Sequence, residues 1–188
     1  MSELYSYDIN GFAYWTDSSL NEYLNGEYLN FISDSYMIKS SSYNLGGIET
    51  FNIDSDSIYE AENSYNHISG GIPTIDNTKI TIMYPSDYVY SIKTGDGYCN
   101  SFANDYYYKN ECQAGGTWLY NNEKAEWFLS FLANEVNSAA FITEGGSLEL
   151  YNDVSFNKFT VRPSLYLTED VEIYSGEGSS GNPYIIGT

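Results

Sequence analysis

The chain has 188 residues, enough for one self-sufficient core that buries roughly 70% of the surface of the unfolded chain. Seven Lys and Arg face 26 Asp and Glu, a formal charge of −19 spread along the whole length. Each phosphate contact needs a Lys or Arg, so one arginine and six lysines exclude nucleic-acid binding and docking on anionic lipid.

The sequence holds 24 Ser, 21 Tyr, 19 Asn and 16 Gly. Aromatic residues make up 18%, which excludes disorder, because disordered chains lack the large apolar groups that offset ordering entropy. Two readings of the bias stay open. Recognition surfaces favour these residue types, since Tyr gives contact area at small entropic cost while Ser, Gly and Asn adapt their hydrogen bonding. Strand-rich secreted proteins share the bias for structural reasons.

No run of 18 apolar residues exists, and Met1-Ser2-Glu3-Leu4-Tyr5 has neither the basic nor the apolar region of a signal peptide. Read literally, this is a soluble cytosolic chain with no direct membrane insertion. The cysteines argue otherwise. Cys99 and Cys112 stand 13 positions apart in a polar segment, without a His or third Cys to complete a metal set. A disulfide closing that loop is worth about 3 kcal/mol in the chain-entropy model; the alternative is two unpaired thiols inside a cell. The expectation is an extracellular domain, residues 1–188, whose export or anchoring segment is absent.

In chain order, residues 15–32 place apolar groups at 20, 23, 24, 28, 31 and 32, a helical spacing. Thr16, Asp17 and Ser18 can each cap it, Ser19 with Glu22 has capping-box spacing, and Gly26 is expected to weaken or break it. Segments 40–47 and 54–78 read as polar and turn-rich, around a short apolar stretch, Ile48 to Ile53. Lys79 to Tyr84 alternates as a strand ended by Pro85. A long loop is expected from Ser86 to Gly116. Strands follow at 117–120, 126–132, 139–143, 147–151, 159–167, 171–174 and 184–186, divided by Asn, Asp and Gly turns in the manner of antiparallel hairpins. The fold class is α+β, a single domain with an early helix and mostly antiparallel short strands in the second half.

His67 is the only histidine, so a His-based zinc site or a Ser-His-Asp triad would depend on it alone. No zincin, hydrolase or Cys-x-x-Cys spacing occurs. The run Ser175 to Pro183 does not lead into a helix and carries Glu177, which speaks against a phosphate cradle. Asp54 to Glu62 alternates carboxylates like a calcium loop, but Ile58 occupies the third ligand position and no glycine follows, so a solvated loop is the better reading. Paired carboxylates for glycoside hydrolysis stay open in so acidic a chain.

Val161-Arg162-Pro163-Ser164-Leu165-Tyr166-Leu167, then Ile173 and Gly176-Glu177-Gly178-Ser179-Ser180-Gly181-Asn182-Pro183-Tyr184, closely resemble the ending of an uncharacterised bacterial domain family found in surface and pilin-like proteins. Ile82 to Tyr88, the Cys99 and Cys112 pair, Trp118-Leu119-Tyr120, Trp127 to Ser130 and Leu20 to Leu29 match its other landmarks in order. The resemblance implies a C-type-lectin-like fold, akin to formylglycine-generating-enzyme domains, with no catalytic motif to carry over. Tyr151-Asn152-Asp153, with Glu149 nearby, loosely matches the Trp-Asn-Asp strand of lectin calcium sites, while the partner Glu-Pro-Asn motif is missing. Calcium therefore stays open, against a plain Asn-Asp turn, and no other cofactor or metal site is expected.

Arg162, between Val161 and Pro163 on a core strand, reads as a structural anchor holding carbonyls or a carboxylate. Trp118 and Trp127 read as core. The binding candidates are the turn residues Tyr120, Asn121, Asn122, Glu149, Tyr151, Asn152 and Asp153. The function expected is non-enzymatic: adhesion or ligand recognition at the bacterial cell surface, the ligand a glycan or a host surface protein. The rivals are a structural head domain of a pilin-like fibre, self-associating through its tyrosines, and a carbohydrate-active enzyme using paired carboxylates.

Overall fold

The computed structural model describes residues 3–48, 55–63, 75–91, 119, 124–133, 135–146 and 148–188. These residues form a mixture of helices and antiparallel sheets, an α+β fold.

Ser18 starts the first helix: its hydroxyl accepts the Asn21 N–H at 3.1 Å, which makes it the N-cap. The helix runs as α1 (Ser19–Tyr23), a π-helical turn (Leu24–Tyr28) and α2 (Leu29–Phe31). Of the two outcomes expected at Gly26 the break does not occur; the α-helix is interrupted there by a π-turn and then continues. That turn also places Asn25, whose Oδ1 accepts the N–H of Lys79 and of Ile80 and whose Nδ2 donates to the Ile80 carbonyl at 2.7 Å. One amide side chain thus fastens the helix to a strand. Asp8, buried, gathers the entering chain by accepting the N–H groups of Asn10, Phe12 and Ser19.

The central sheet is the meander β5 (Glu126–Leu132), β6 (Glu135–Ile142) and β7 (Leu148–Asn152). All seven residues of β5 are buried, because both of its faces are covered. Trp127, Leu129 and Phe131 join one apolar cluster with Tyr7, Trp15, Leu20, Leu24, Ile80 and Ile82. Phe128 joins the other, with Ile58, Met83, Tyr88 and Val89. Ala139 and Phe141 of β6 follow the first set, Ala140 and Ile142 the second. This is the period of two that a strand imposes. The free edge of β5 is stitched by backbone bonds to Ile48, Met83 and Thr160.

The second cluster rests on two helices that the sequence reading placed in turns and loop. Segment 54–78 contains α3 (Ser55–Glu62) and β3 (Ile75–Thr78), and the expected loop from Ser86 begins as α4 (Pro85–Ser91). Ile58, Tyr88 and Val89 supply enough apolar surface to hold such short polar helices against the sheet. Strand β2 (Ser41–Tyr43) also lies in a stretch read as turn-rich, and β1 (Ile38–Lys39) comes just before it. Strand β4 (Ile80–Ile82) pairs with β8 (Pro163–Leu167), which pairs on its other side with β1; β2 pairs with β3. Pro163 opens β8, the place in a strand where a missing N–H is tolerated.

The remaining ribbon, β9 (Glu172–Ser175) with β10 (Ile185–Gly187), is closed by the glycine-rich turn, with Gly176 and Gly178 in the left-handed region at φ 94° and 80°. No helix among the described residues is long and apolar enough to cross a membrane.

Candidate functional site

The short helix α4 fixes the centre of the site. Pro85 takes the first helical position, where an absent N–H costs nothing. Asp87 accepts the Tyr84 N–H at 3.1 Å, half of a capping box. Tyr84 brings no short side-chain oxygen to serve as N-cap, and Glu62 at the end of α3 takes that part. Its carboxyl accepts the Ser86 N–H at 3.0 Å and the Ser86 hydroxyl at 2.5 Å. Glu62 is only 2% exposed, and burial, reinforced by the nearby Asp87 charge and opposed by the Ser86 bonds, pushes its carboxyl up to about 8. Burial also raises the Asp87 carboxyl and the Tyr84 phenol.

Gly46 lets the chain after β2 press onto the end of α3. Its N–H donates to the Glu62 carbonyl at 2.8 Å, and a Cβ there would lie 1.8 Å from the Ala61 carbonyl oxygen. This approach sets Asn44 beside Asn63: the Asn44 amide donates to the Asn63 side-chain oxygen, and Asn63 in turn donates to the Tyr59 carbonyl. The Tyr84 hydroxyl donates to the Asn44 carbonyl at 2.9 Å. From β8, Tyr166 stacks on the buried Tyr43, ring centroids 5.8 Å apart at 25°. Tyr43 and Tyr166 lie close enough to Tyr84 to bear on its phenol.

The outcome is a patch in which Tyr166, 58% exposed, and the exposed amides Asn44 and Asn63 surround a half-buried Tyr84. A flat ring held by stacking offers an apolar face, and two amides with phenol hydroxyls offer donors and acceptors of both kinds. Glu62 lies beneath with its carboxyl engaged by Ser86, so it supports the patch and does not reach solvent.

A second polar junction joins β5 to Arg162, which lies just ahead of β8 and outside any strand instead of on the core strand expected over 159–167. Arg162 donates to the Leu119 carbonyl at 2.9 Å and to Glu126 Oε2 at 3.1 Å. The Arg162 side chain is 30% exposed and that of Glu126 4%. Burial raises the Glu126 carboxyl against the opposing pull of Arg162, and Oε1 has no hydrogen-bond partner among the described residues. Leu119 immediately precedes Tyr120 in the sequence, the first of one expected set of binding residues.

Tyr120, Asn121, Asn122, Cys99, Cys112, Trp118 and His67 lie outside the described residues. Glu149 is half-buried, and strand positions 149 and 151 oppose Phe141 and Ala139, while position 152 opposes Ser138 on the other face of the sheet. Tyr151-Asn152 therefore continue β7 instead of forming a turn. Asp153 ends it at φ 69°, exposed, its carboxylate accepting the Ser155 hydroxyl at 2.6 Å. Among the described residues no group of three His, Cys, Asp or Glu is placed to hold a metal ion. Trp127 is buried and donates its indole N–H to the Tyr5 carbonyl at 2.8 Å.

The tyrosine–asparagine patch was not foreseen. Its members come from positions 43–44, 63, 84 and 166, and no local spacing links them. The one sequence signal is Tyr43-Asn44 just ahead of Gly46-Gly47, a polar pair beside a site of close backbone approach. No family model, curated protein or solved structure matches the chain.

Proposed function

We propose that this chain is a non-enzymatic recognition domain displayed outside the cell by a bacterial surface or pilus-associated protein, with a C-type-lectin-like chain path, and that it binds a glycan. The observation that carries this reading is Tyr166: its ring is more than half exposed yet held flat against buried Tyr43, beside two exposed amides. A sugar ring has one apolar C–H face and a rim of hydroxyls, and this combination meets both. Rigid aromatic rings give contact at small entropic cost, and Asn adapts its hydrogen bonding. The resemblance of the segments around Arg162 and Gly176 to bacterial surface domains agrees with display outside the cell.

The test is a glycan array with and without Ca²⁺, repeated on Tyr166→Ala and Asn44→Ala. The expected result is binding that falls about tenfold or more in either variant at an unchanged melting temperature. Binding by neither the native chain nor the calcium-loaded chain to any glycan or host protein surface would remove the reading. Binding that survives Tyr166→Ala but is lost on substituting Asn121 and Asn122 would move the site to those two residues.

A further inference from the structure

At the edge of the first apolar cluster stands a row of tyrosines that the Tyr166 patch does not use. In an α-helix only residues three and four apart share a face, so residues five apart point to different sides. The π-helical turn Leu24–Tyr28 closes its bonds over five residues and carries Tyr28 round toward Tyr23. Their ring centroids lie 6.3 Å apart at 39°. Tyr5 completes the row, its ring 5.0 Å from that of Tyr23 at 28°. All three residues are half-buried.

Both members of the closer pair are held in place. The Tyr5 N–H donates to the Phe159 carbonyl at 2.8 Å, while the Tyr5 carbonyl accepts the Phe159 N–H at 3.0 Å and the Trp127 indole N–H at 2.8 Å. Tyr23 belongs to the helix that Asn25 fastens to β4. The two hydroxyls therefore meet in a fixed arrangement. That of Tyr5 donates to Glu3 Oε2 at 2.8 Å and lies 3.1 Å from that of Tyr23. A hydroxyl has one proton to give, so Tyr23 donates to Tyr5 while Tyr5 donates to the carboxylate. Phenol, phenol and carboxylate form a short proton relay that ends on the exposed Glu3. Burial and the bonds to Tyr23 and Glu3 raise the Tyr5 phenol, so it keeps its proton until it is oxidised.

Tyrosine pairs elsewhere among the described residues lack this arrangement. Tyr59 and Tyr90 meet edge-on, with the Tyr90 hydroxyl donating to Asp56. Tyr43 and Tyr166 stack, but the Tyr43 hydroxyl has no hydrogen-bond partner among the described residues.

We infer that Tyr5 and Tyr23 form an oxidative cross-linking site, at which a haem peroxidase with hydrogen peroxide joins the two rings as dityrosine and Glu3 accepts the Tyr5 proton. Each phenol gives up one electron and one proton. The two radicals couple through one ortho carbon each; the hydrogens on those carbons leave as protons, and the oxygens take protons back. In sum two ring C–H bonds break and one C–C bond forms, while the peroxide takes up two electrons and two protons and becomes two waters. Hydroxyls this close set the ortho carbons of the two rings side by side. Closing the bond slides the rings from overlap to edge contact, a movement open to half-buried side chains. The product ties residue 5 to the first helix across 18 positions, a loop of the size that a disulfide closes with effect. The site shares no residue with the Tyr166 patch and stands independently of glycan binding.

The experiment treats the whole chain, at low concentration, with a haem peroxidase and limiting hydrogen peroxide. The expected product is a monomer with dityrosine fluorescence that survives reductant, which separates it from a disulfide. Cleavage of the denatured product after acidic residues cuts between the partners at Asp8, Asp17 and Glu22, yet should leave residues 5 and 23 in one fragment. The linked chain should melt about 5–10 °C above the untreated one. Tyr5→Phe and Tyr23→Phe should each abolish the monomer's fluorescence, whereas Tyr90→Phe should leave it unchanged. Glu3→Gln keeps both rings and removes the proton acceptor, so it should slow the reaction. Fragment mapping in the native chain carries the test should a phenylalanine variant melt early. Fluorescence confined to dimers that increase with protein concentration would overturn the inference. So would a monomer linked through other tyrosines, or a rate in Glu3→Gln equal to that of the native chain.

Discussion

Strand β5 and the β9–β10 ribbon are both rich in large apolar residues, yet one is wholly buried and the other wholly exposed through β9. The difference lies in what the chain lays over each. β5 has Tyr7, Trp15 and the first helix on one face and Ile58, Tyr88 and Val89 on the other, whereas the described chain lays nothing over Ile173. Hydrophobic content alone therefore does not mark a core strand; coverage from elsewhere in the sequence does. A two-stranded ribbon is marginal in isolation, so this one owes its shape to Tyr174, Tyr184 and the turn bonds Glu177 and Gly178 N–H to the Asn182 carbonyl.

Truncating one residue in each region gives the largest expected contrast. Phe128→Ala should cost about 3–5 kcal/mol in a denaturant titration, the range for deleting a buried aromatic side chain. Ile173→Ala should stay within about 0.5 kcal/mol, as exposed substitutions do. A comparable loss for both would mean that the ribbon is packed in solution, and the contrast between the two regions would fail.

Arg162→Ala comes next. It leaves the buried Glu126 carboxyl without its cation, and breaking a buried pair costs about 3–5 kcal/mol, with the partial exposure of Arg162 moving the expectation to the low end or below. Adding Glu126→Gln should restore part of the loss, since it removes the charge that was stranded. A double variant no more stable than Arg162→Ala would show that the guanidinium acts through the Leu119 carbonyl instead.

Most of the central and later strands were legible because their signal is local, although β6 starts at Glu135 instead of 139 and β8 at Pro163 instead of 159. Glu126–Leu132 coincides with the expected strand, and 148–152, 172–175 and 185–187 lie within one residue of expectation at each end. Ser18 was among the three foreseen caps. Helices α3 and α4 were not legible, because their propensity is weak and their helicity comes from packing Ile58, Tyr88 and Val89 under β5. The tyrosine–asparagine patch was hidden for a similar reason: it forms where Gly46 meets α3 and β8 returns beside β2, two events that sequence spacing does not encode.

Glu62 brings pH into the comparison. Its folded carboxyl titrates near 8 against an ordinary 4.5, so between those values the folded state holds a proton that the unfolded state has released. Stability from this group is therefore fully present below about pH 4.5 and lost as pH rises through 8, with a slope of up to about 1.4 kcal/mol per pH unit. Melting curves across that window should show a decline with rising pH that Glu62→Gln removes, while neutralising Glu172 and Glu177 in the exposed ribbon leaves it intact. A native chain whose stability is flat from pH 5 to about 8 would contradict the burial of this carboxyl.

The smallest effect separates two buried indoles inside the body. Trp127 donates its N–H to the Tyr5 carbonyl, whereas the Trp15 N–H is buried without an acceptor among the described residues. Replacing either by Phe removes similar ring volume, but only Trp127→Phe gives up a hydrogen bond, and Trp15→Phe deletes an unsatisfied donor. Trp127→Phe should therefore be the more costly by about 1 kcal/mol or more. Equal costs would mean that the Trp15 N–H reaches water or an acceptor in solution, and that the face of β5 beneath the first helix is less tightly covered than the face beneath α3 and α4.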